Sequence, residues 1–532
     1  MKKYLKLLAL LLALCLLLGC GANKELEQAD EVQEDDFTFH TFPTDFVIET
    51  VGDDADDDFD FGDMSDLPLT QLDMLFTDVV ANDFIPVRYV MIYNPRIYTD
   101  SDSTLNTGSL GTQVEAVMNK GGLENPVEDL SISQDILNDD LPQLQEGGRA
   151  GRIITPYQVG DTRDFYCYTS QSTDEPRITR NFTCRYAGAY CNIWTADTDM
   201  SDSLVQDYGD QFDNYIYENV VAAFGEPRFS KNGGKVNLLY YPLPENLGGC
   251  FCILDLYAND EVTPSEIAAY GVNTDHDILH INANFTQYDS MQTVMRSTMA
   301  HEFQHLICAT NAFFAPNFTK CPTWFNEAMS GYIEEQLYPG VKEGASGHLS
   351  SFSESNRIRN GQSLYNFGKD RDDIGVYGSV YLFSEYLARL EGGHVFSNFH
   401  KYWRTSYSST LNCAEALMNS VSIDTYMLVD AATPYPTNIP IDEMDETWMS
   451  KLTLQYHLAV LQNNSANPEV FSDIVPQDLL YSQINPANIE GGGRIIVALQ
   501  GDTFVIPEDA DRGLFYIGLD KDFNPVTALI YH

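Results

Sequence analysis

Basic residues are scarce. The 532-residue chain holds 30 Lys and Arg against 78 Asp and Glu, a formal net charge of −48. Phosphate backbones and anionic lipid surfaces are bound by clustered Lys and Arg, and no such cluster occurs. This excludes nucleic acid as a partner, and a membrane held by the protein's own surface. Long apolar runs are also missing beyond the first twenty residues, so nothing in the body of the chain matches the roughly 20 apolar residues of a spanning helix. There is no internal repeat. What is present is 44% hydrophobic and 12% aromatic residues. That composition buries real cores and rules out global disorder. At about 150 residues per domain the length allows roughly three folded units.

The N-terminus carries an address. Lys2, Lys3 and Lys6 precede the apolar run Leu7 to Leu18, which is followed by Gly19-Cys20. The run is too short to span a bilayer comfortably and suits a signal peptide. Its end, Leu17-Leu18-Gly19-Cys20, resembles the bacterial lipobox, which implies cleavage after Gly19 and a diacylglycerol on the Cys20 thiol, hence a membrane anchor through lipid. Residues 20–70 read as an acidic, disordered tether: positions 21–70 hold 17 acids and the single base Lys24, and such self-repulsion opposes compaction. An EF-hand calcium loop does not fit the densest part, because Phe59 stands where that loop needs an oxygen ligand.

The body suggests an α+β fold: a zincin-like catalytic domain of mixed sheet and helices, with β-rich accessory domains on either side. Residues 71–205 carry short aromatic and β-branched runs, among them 86–93, 164–168, 184–186 and 191–194, separated by Gly, Asp and Asn turns. From 206 to 465 helical periodicity dominates, interrupted by a strand at 235–241 and another at 277–285. Residues 466–532 return to short strands, including 493–499 and 514–519.

The chemistry concentrates at His301-Glu302-Phe303-Gln304-His305. Val294, Met295, Met299, Phe303, Leu306 and Ile307 form an apolar stripe at helical spacing, with Asp289 or Ser290 as N-cap. On a helix His301 and His305 sit one turn apart on one face and can reach one metal ion, while Glu302 can approach a water on that metal from the side. A catalytic zinc needs a third protein ligand. Glu327, 22 residues after His305, lies early in a helical stretch that begins after Pro322-Thr323. Glu334 shares its face at i+7 and is the rival ligand. The strand at 277–285 offers an edge for an extended peptide, with His280 on its polar side, lining the cleft.

With its Asn326-Glu327 pair opening a helix some twenty residues after the histidine motif, the chain resembles zinc metallopeptidases of the gluzincin type. It is most similar to the hyicolysin-like bacterial secreted peptidases. The resembling stretches are Val159 to Arg163, Phe212-Asp213-Asn214, Gly248-Gly249, 300–307 and 324–328. The resemblance implies zinc as cofactor, His301, His305 and Glu327 as its ligands, Glu302 as general base, and Asn326 as a partner behind a ligating imidazole. It implies a protein or peptide substrate. Related enzymes use a Tyr or His for the oxyanion; Tyr377 is the candidate, with Tyr381 and His394 as rivals. A metzincin is excluded, since Cys308 and Asn311 stand where that pattern needs Gly and His. Two other classes remain open: a non-catalytic surface lipoprotein such as an adhesin, and a zinc hydrolase of non-peptide substrates. Eight cysteines remain beyond Cys15 and Cys20, and Cys184–Cys191 and Cys308–Cys321 are close enough to pair. Nothing in the sequence specifies an oligomer.

Overall fold

The strand-like runs of the N-terminal half divide between two sheets. The structure is a computed structural model, and it describes residues 48–49, 87–96, 104–115, 156–169, 176–228, 234–244, 247–257, 262–274, 276–313, 321–339, 361–366, 375–391, 393–405, 416–417, 420–421, 441–462, 488–501, 504–521 and 525–530. The signal segment 1–19, Cys20 and nearly all of the 20–70 tether lie outside them. Within the expected tether, however, Ile48–Glu49 forms a short strand, β1, pairing in parallel with Ala528 and Leu529.

The first sheet joins the two ends of the described chain. Its strand β2 (Tyr89–Tyr93) pairs with the C-terminal strands β12 (Arg494–Leu499) and β13 (Phe515–Leu519), β4 (Val114–Glu115) pairs with β12, and β14 (Pro525–Ile530) joins β13 to β1, in the order β1-β14-β13-β2-β12-β4. Val90, Ile92, Ile495, Val497 and Tyr516 fill its core. A two-stranded ribbon, β3 (Leu105–Asn106) with β11 (Asn488–Ile489), lies beside it in sequence.

The second sheet bears on the site. It contains β5 (Thr162–Cys167), β6 (Ile178–Ala187), β7 (Cys191–Thr195), β8 (Val236–Tyr241), β9 (Gly249–Phe251) and β10 (Ile278–Asn282) in the order β5-β6-β7-β8-β10-β9. Strands β7, β8 and β10 are parallel, and β9 closes the edge antiparallel to β10. Strand pairing therefore crosses the expected boundary at 205: β5–β7 are continuous with β8, whereas β2 and β4 belong with the C-terminal strands. The whole is mixed α and β, compatible with an α+β class.

Helices α1 (Asp202–Gln211) and α2 (Tyr217–Phe224) are joined by a π-helical turn at Phe212–Ile216. That turn buries Asp213, whose carboxylate accepts from the backbone N–H groups of Ala189, Tyr190 and Cys191 (2.5, 2.8 and 3.0 Å) and from the Tyr186 hydroxyl (2.9 Å). One acid thus satisfies the β6–β7 hairpin. Gly188 is required there, since a Cβ would fall on the Asp213 carboxylate. Helix α2 stops at Gly225, where φ is +87°, a conformation that favours glycine. After α3 (Pro264–Tyr270) come the long helices α4 (Gln292–Phe313) and α5 (Thr323–Leu337), then α6 (Gly375–Glu391), α7 (Val395–Thr405) and α8 (Ile441–Gln462). Helix α8 binds distant parts together: the Tyr93 hydroxyl donates to the Ser450 carbonyl (2.8 Å), the Tyr456 hydroxyl to the Ser379 carbonyl (3.0 Å), and His457 Nε2 to the Gly492 carbonyl (2.9 Å). Among the described residues no helix is long and apolar enough to cross a membrane.

Candidate metal centre

Helix α4 forms where its apolar stripe predicts, three residues after Asp289, with a short 3-10 turn at Asp289–Met291 leading in. Its Met295, Met299, Phe303, Leu306 and Ile307 are fully buried. Phe303 packs on Phe212 and Tyr217 at ring-centroid distances of 5.1 and 5.4 Å, and Arg296 pairs with Asp207 of α1 at 2.6 Å. The opposite side of α4 meets α5, which starts directly after Pro322 and is held by Trp324 against Phe383 and Phe325 against Phe399. The two helices are thereby fixed with their polar residues facing inward.

Between them stand His301, His305 and Glu327, whose ligand-type atoms all lie within 4.8 Å of one another. Glu327 Oε2 is 3.3 Å from His301 Nε2, and Oε1 is 3.7 Å from His305 Nε2. Donors about 2.0–2.1 Å from a common zinc at tetrahedral angles stand roughly 3.3–3.4 Å apart, so the set fits. All three side chains are buried, yet both nitrogens of His305 and both oxygens of Glu327 make no hydrogen bond among the described residues. Buried polar atoms left this way point to a missing partner, and two imidazoles with one carboxylate are a donor set for catalytic zinc.

The electrostatics ask for a cation. Glu302, Glu327 and Glu334 are 0%, 2% and 1% exposed. Burial by itself lowers the pKa of His301, but the Glu334 carboxylate, followed by contact with Glu327, more than offsets this and holds the imidazole at about 10. Glu334 Oε1 lies 3.0 Å from Nδ1 of His301, the nitrogen turned away from Glu327. The rival candidate Glu334 therefore reaches the far nitrogen of His301 and not the cluster of His301 Nε2, His305 and Glu327.

Glu302 lies beside the edge strand. A Cβ on Gly249 would stand 2.8 Å from Thr298 Cγ2, 3.0 Å from the His280 carbonyl and 3.2 Å from Glu302 Cγ. Only glycine lets β9 come this close to α4. Burial, then the Glu302 charge, pushes the Cys250 thiol well above its ordinary value. The strand expected to offer an edge, β10, is internal: β8 flanks it on one side and β9 on the other. The edge is β9.

His280 is corrected as well. It pairs with Cys250 across the β9–β10 ladder and so points away from Gly249 and α4. It is fully buried, its Nε2 3.0 Å from Asp255 Oδ2, and its Nδ1 meets the Tyr241 hydroxyl at 3.0 Å. Arg177 completes the cluster with a two-pronged contact to Asp255 at 2.9 and 2.8 Å. Burial raises the Asp255 carboxyl, but Arg177, followed by the hydrogen bond from His280, overturns this and holds it at about 2. A carboxyl depressed on folding stabilises the native state above its unfolded pKa of about 3.9 and loses that contribution as the pH falls toward 2. Asp255→Asn leaves Arg177 buried without its charge partner and is expected to cost about 3–5 kcal/mol at neutral pH. In denaturant titrations the deficit should shrink between about pH 4 and pH 2, where the wild-type carboxyl protonates too. A deficit that stays constant through that range would count against the cluster.

Tyr377 lies in the first turn of α6, buried, and Tyr381 is buried one turn on; His394 is exposed in the turn before α7. Asn326 is buried beside Glu327. The expected Cys184–Cys191 and Cys308–Cys321 bridges do not form. Cys184, Cys191 and Cys308 carry free thiols, as do Cys167, Cys250 and Cys252, all buried. Cys184 instead donates to the Tyr186 carbonyl at 3.3 Å, and Cys413 lies outside the described residues.

No family model matches the chain. It is 25% identical over 288 residues to the neutral metalloprotease ShpI of Staphylococcus hyicus, a match covering 53% of this chain and 62% of that protein. The chain thus matches less than two thirds of that relative's length. The similarity supports a distant metallopeptidase relationship and, with it, a metal at the His301, His305 and Glu327 cluster.

Proposed function

We propose that this chain is a zinc metallopeptidase of the gluzincin type, exported and lipid-anchored through Cys20, that hydrolyses protein or peptide substrates. The observation that carries the reading is the convergence of His301, His305 and Glu327 within 4.8 Å in a buried site, with Glu302 on the same helix. The catalytic unit takes in β5–β7 together with residues 206–465, because these strands share the sheet of β8.

His301, His305 and Glu327 hold the zinc, which when bound supplies a polarised carbonyl and a water of lowered pKa. Glu302 takes the proton of the attacking water on its carboxylate and returns it to the leaving amine. Its Cγ packs beneath Gly249, where the metal helix meets the β9 edge. Tyr377 donates its phenolic hydrogen to the oxyanion that develops on the scissile carbonyl, and Asn326 supports a ligating imidazole from behind. The low-dielectric setting strengthens each of these contacts.

The experiment is casein and peptide-library cleavage by the purified protein, with and without a zinc chelator. Cleavage that stops on chelation and returns with zinc is expected; in the same assay Tyr377→Phe should lower kcat with KM little changed. Cys20→Ser should move the protein from the membrane to the soluble fraction. Zinc retained without cleavage of any peptide would instead favour a binding lipoprotein or a non-peptide hydrolase.

A further inference from the structure

We propose that Glu334 is the positioning residue for His301, holding its imidazole with Nε2 turned toward the metal. The inference rests on the zinc reading above and extends it to a residue that is not a ligand.

The geometry points one way. The two nitrogens of His301 face two different carboxylates of the same helix: Nε2 lies 3.3 Å from Glu327 Oε2, and Nδ1 lies 3.0 Å from Glu334 Oε1. Glu327 and Glu334 are seven residues apart on α5, close to two helical turns, so both side chains leave one face from backbone positions about 10 Å apart along the axis and converge on the ring. The imidazole of His301 is thus gripped by α5 at both ends. All three side chains are about 1% exposed, so water does not compete for Nδ1.

The chemistry of the arrangement is specific. A neutral imidazole can offer a metal only one nitrogen, and the proton must sit on the other. A carboxylate at Nδ1 accepts that proton's hydrogen bond, selects the tautomer with a free Nε2 lone pair, fixes the ring plane and makes Nε2 a stronger donor. His305 has no carboxylate at that position: among the described residues its ion-pair contact is made by Nε2, 3.7 Å from Glu327 Oε1. The asymmetry is informative, because loss of the Glu334 carboxylate should act on one ligand and leave the other unchanged. It also gives Glu334, on the same helix face as Glu327, a role other than ligand: it meets Nδ1 of His301, while Glu327 meets Nε2.

The test measures zinc affinity of the full chain by competition with a chromophoric chelator, for the wild type, Glu334→Gln, Glu334→Ala and, as a ligand control, Glu327→Ala. The cobalt-substituted forms give a visible spectrum that reports ligand geometry apart from activity. Glu334→Ala should weaken zinc by about 10–100-fold, the range for lost partners behind metal ligands. Glu334→Gln should fall between the two, since its amide oxygen still accepts from Nδ1 but carries no charge. Both should shift the cobalt spectrum, while melting temperatures in chelator report whether the fold is intact. If Glu334→Ala does not fold, the isosteric Gln variant carries the comparison. Wild-type zinc affinity and an unchanged cobalt spectrum in the Glu334 variants, with zinc lost in Glu327→Ala, would overturn the positioning role alone. Wild-type affinity in Glu327→Ala would overturn the metal site beneath it.

Discussion

Replacing Glu302 by Gln is expected to lower kcat for peptide hydrolysis by roughly 10²–10⁴-fold, the usual contribution of a positioned general base, with zinc retained and KM little changed. The reasons are local. Glu302 follows His301 directly on α4, one residue off the face that carries His301 and His305, so it stands beside the proposed metal ligands without being one. Gln has the same shape and fits the same seat beneath Gly249, where a Cβ would already lie 3.2 Å from Glu302 Cγ. The fold and the ligands therefore survive, and only the capacity to take a proton is lost. A loss in kcat that matches the loss in kcat/KM identifies an interaction made in the transition state. Full hydrolysis by a zinc-loaded Glu302→Gln protein would remove Glu302 from the mechanism.

The second large effect is on stability. Glu327→Ala is expected to abolish zinc binding and to lower the melting temperature by about 8–16 °C in zinc-containing buffer. A ligand present at a thousand times its Kd contributes about 4.1 kcal/mol to the folded state, and each kcal/mol moves the melting temperature by about 2–4 °C for a unit of 150–250 residues. The sign follows from the burial of the site. Three carboxylates and two imidazoles are held at 0–2% exposure, and in the absence of zinc a proton on His301 offsets only one of the negative charges. The variant should melt where the chelator-treated wild type does, because both lack the same cation. A wild type whose melting temperature does not respond to chelator would mean that no metal supports this fold.

Much of the centre is legible in the sequence, for a physical reason: local periodicity determines it. The apolar stripe of α4 and the i, i+4 spacing of His301 and His305 need no tertiary knowledge, and the resemblance carried by Asn326-Glu327 directs attention to Glu327. What is not legible depends on pairing over long distances. Strand β10 shows its alternation, but whether it is an edge depends on β9, a three-residue strand beginning with glycine that has no periodic signal of its own. His280 looks like a cleft residue until Asp255, inside the apolar run Ile253–Leu256, and Arg177, 78 positions before Asp255, are brought to it. The i+7 relation of Glu334 to Glu327 is visible, but the side of His301 it meets depends on the rotation of α5 against α4. Closeness in sequence likewise misleads for Cys184 and Cys191: the hairpin between them is held instead by Asp213 and the backbone ladder.

The most direct test of the metallopeptidase reading is a count of zinc per chain by mass spectrometry on the purified wild type and on Glu327→Ala after dialysis against metal-free buffer. One zinc in the wild type and none in the variant is the predicted result. A wild type without zinc, or a variant that keeps one, would contradict it.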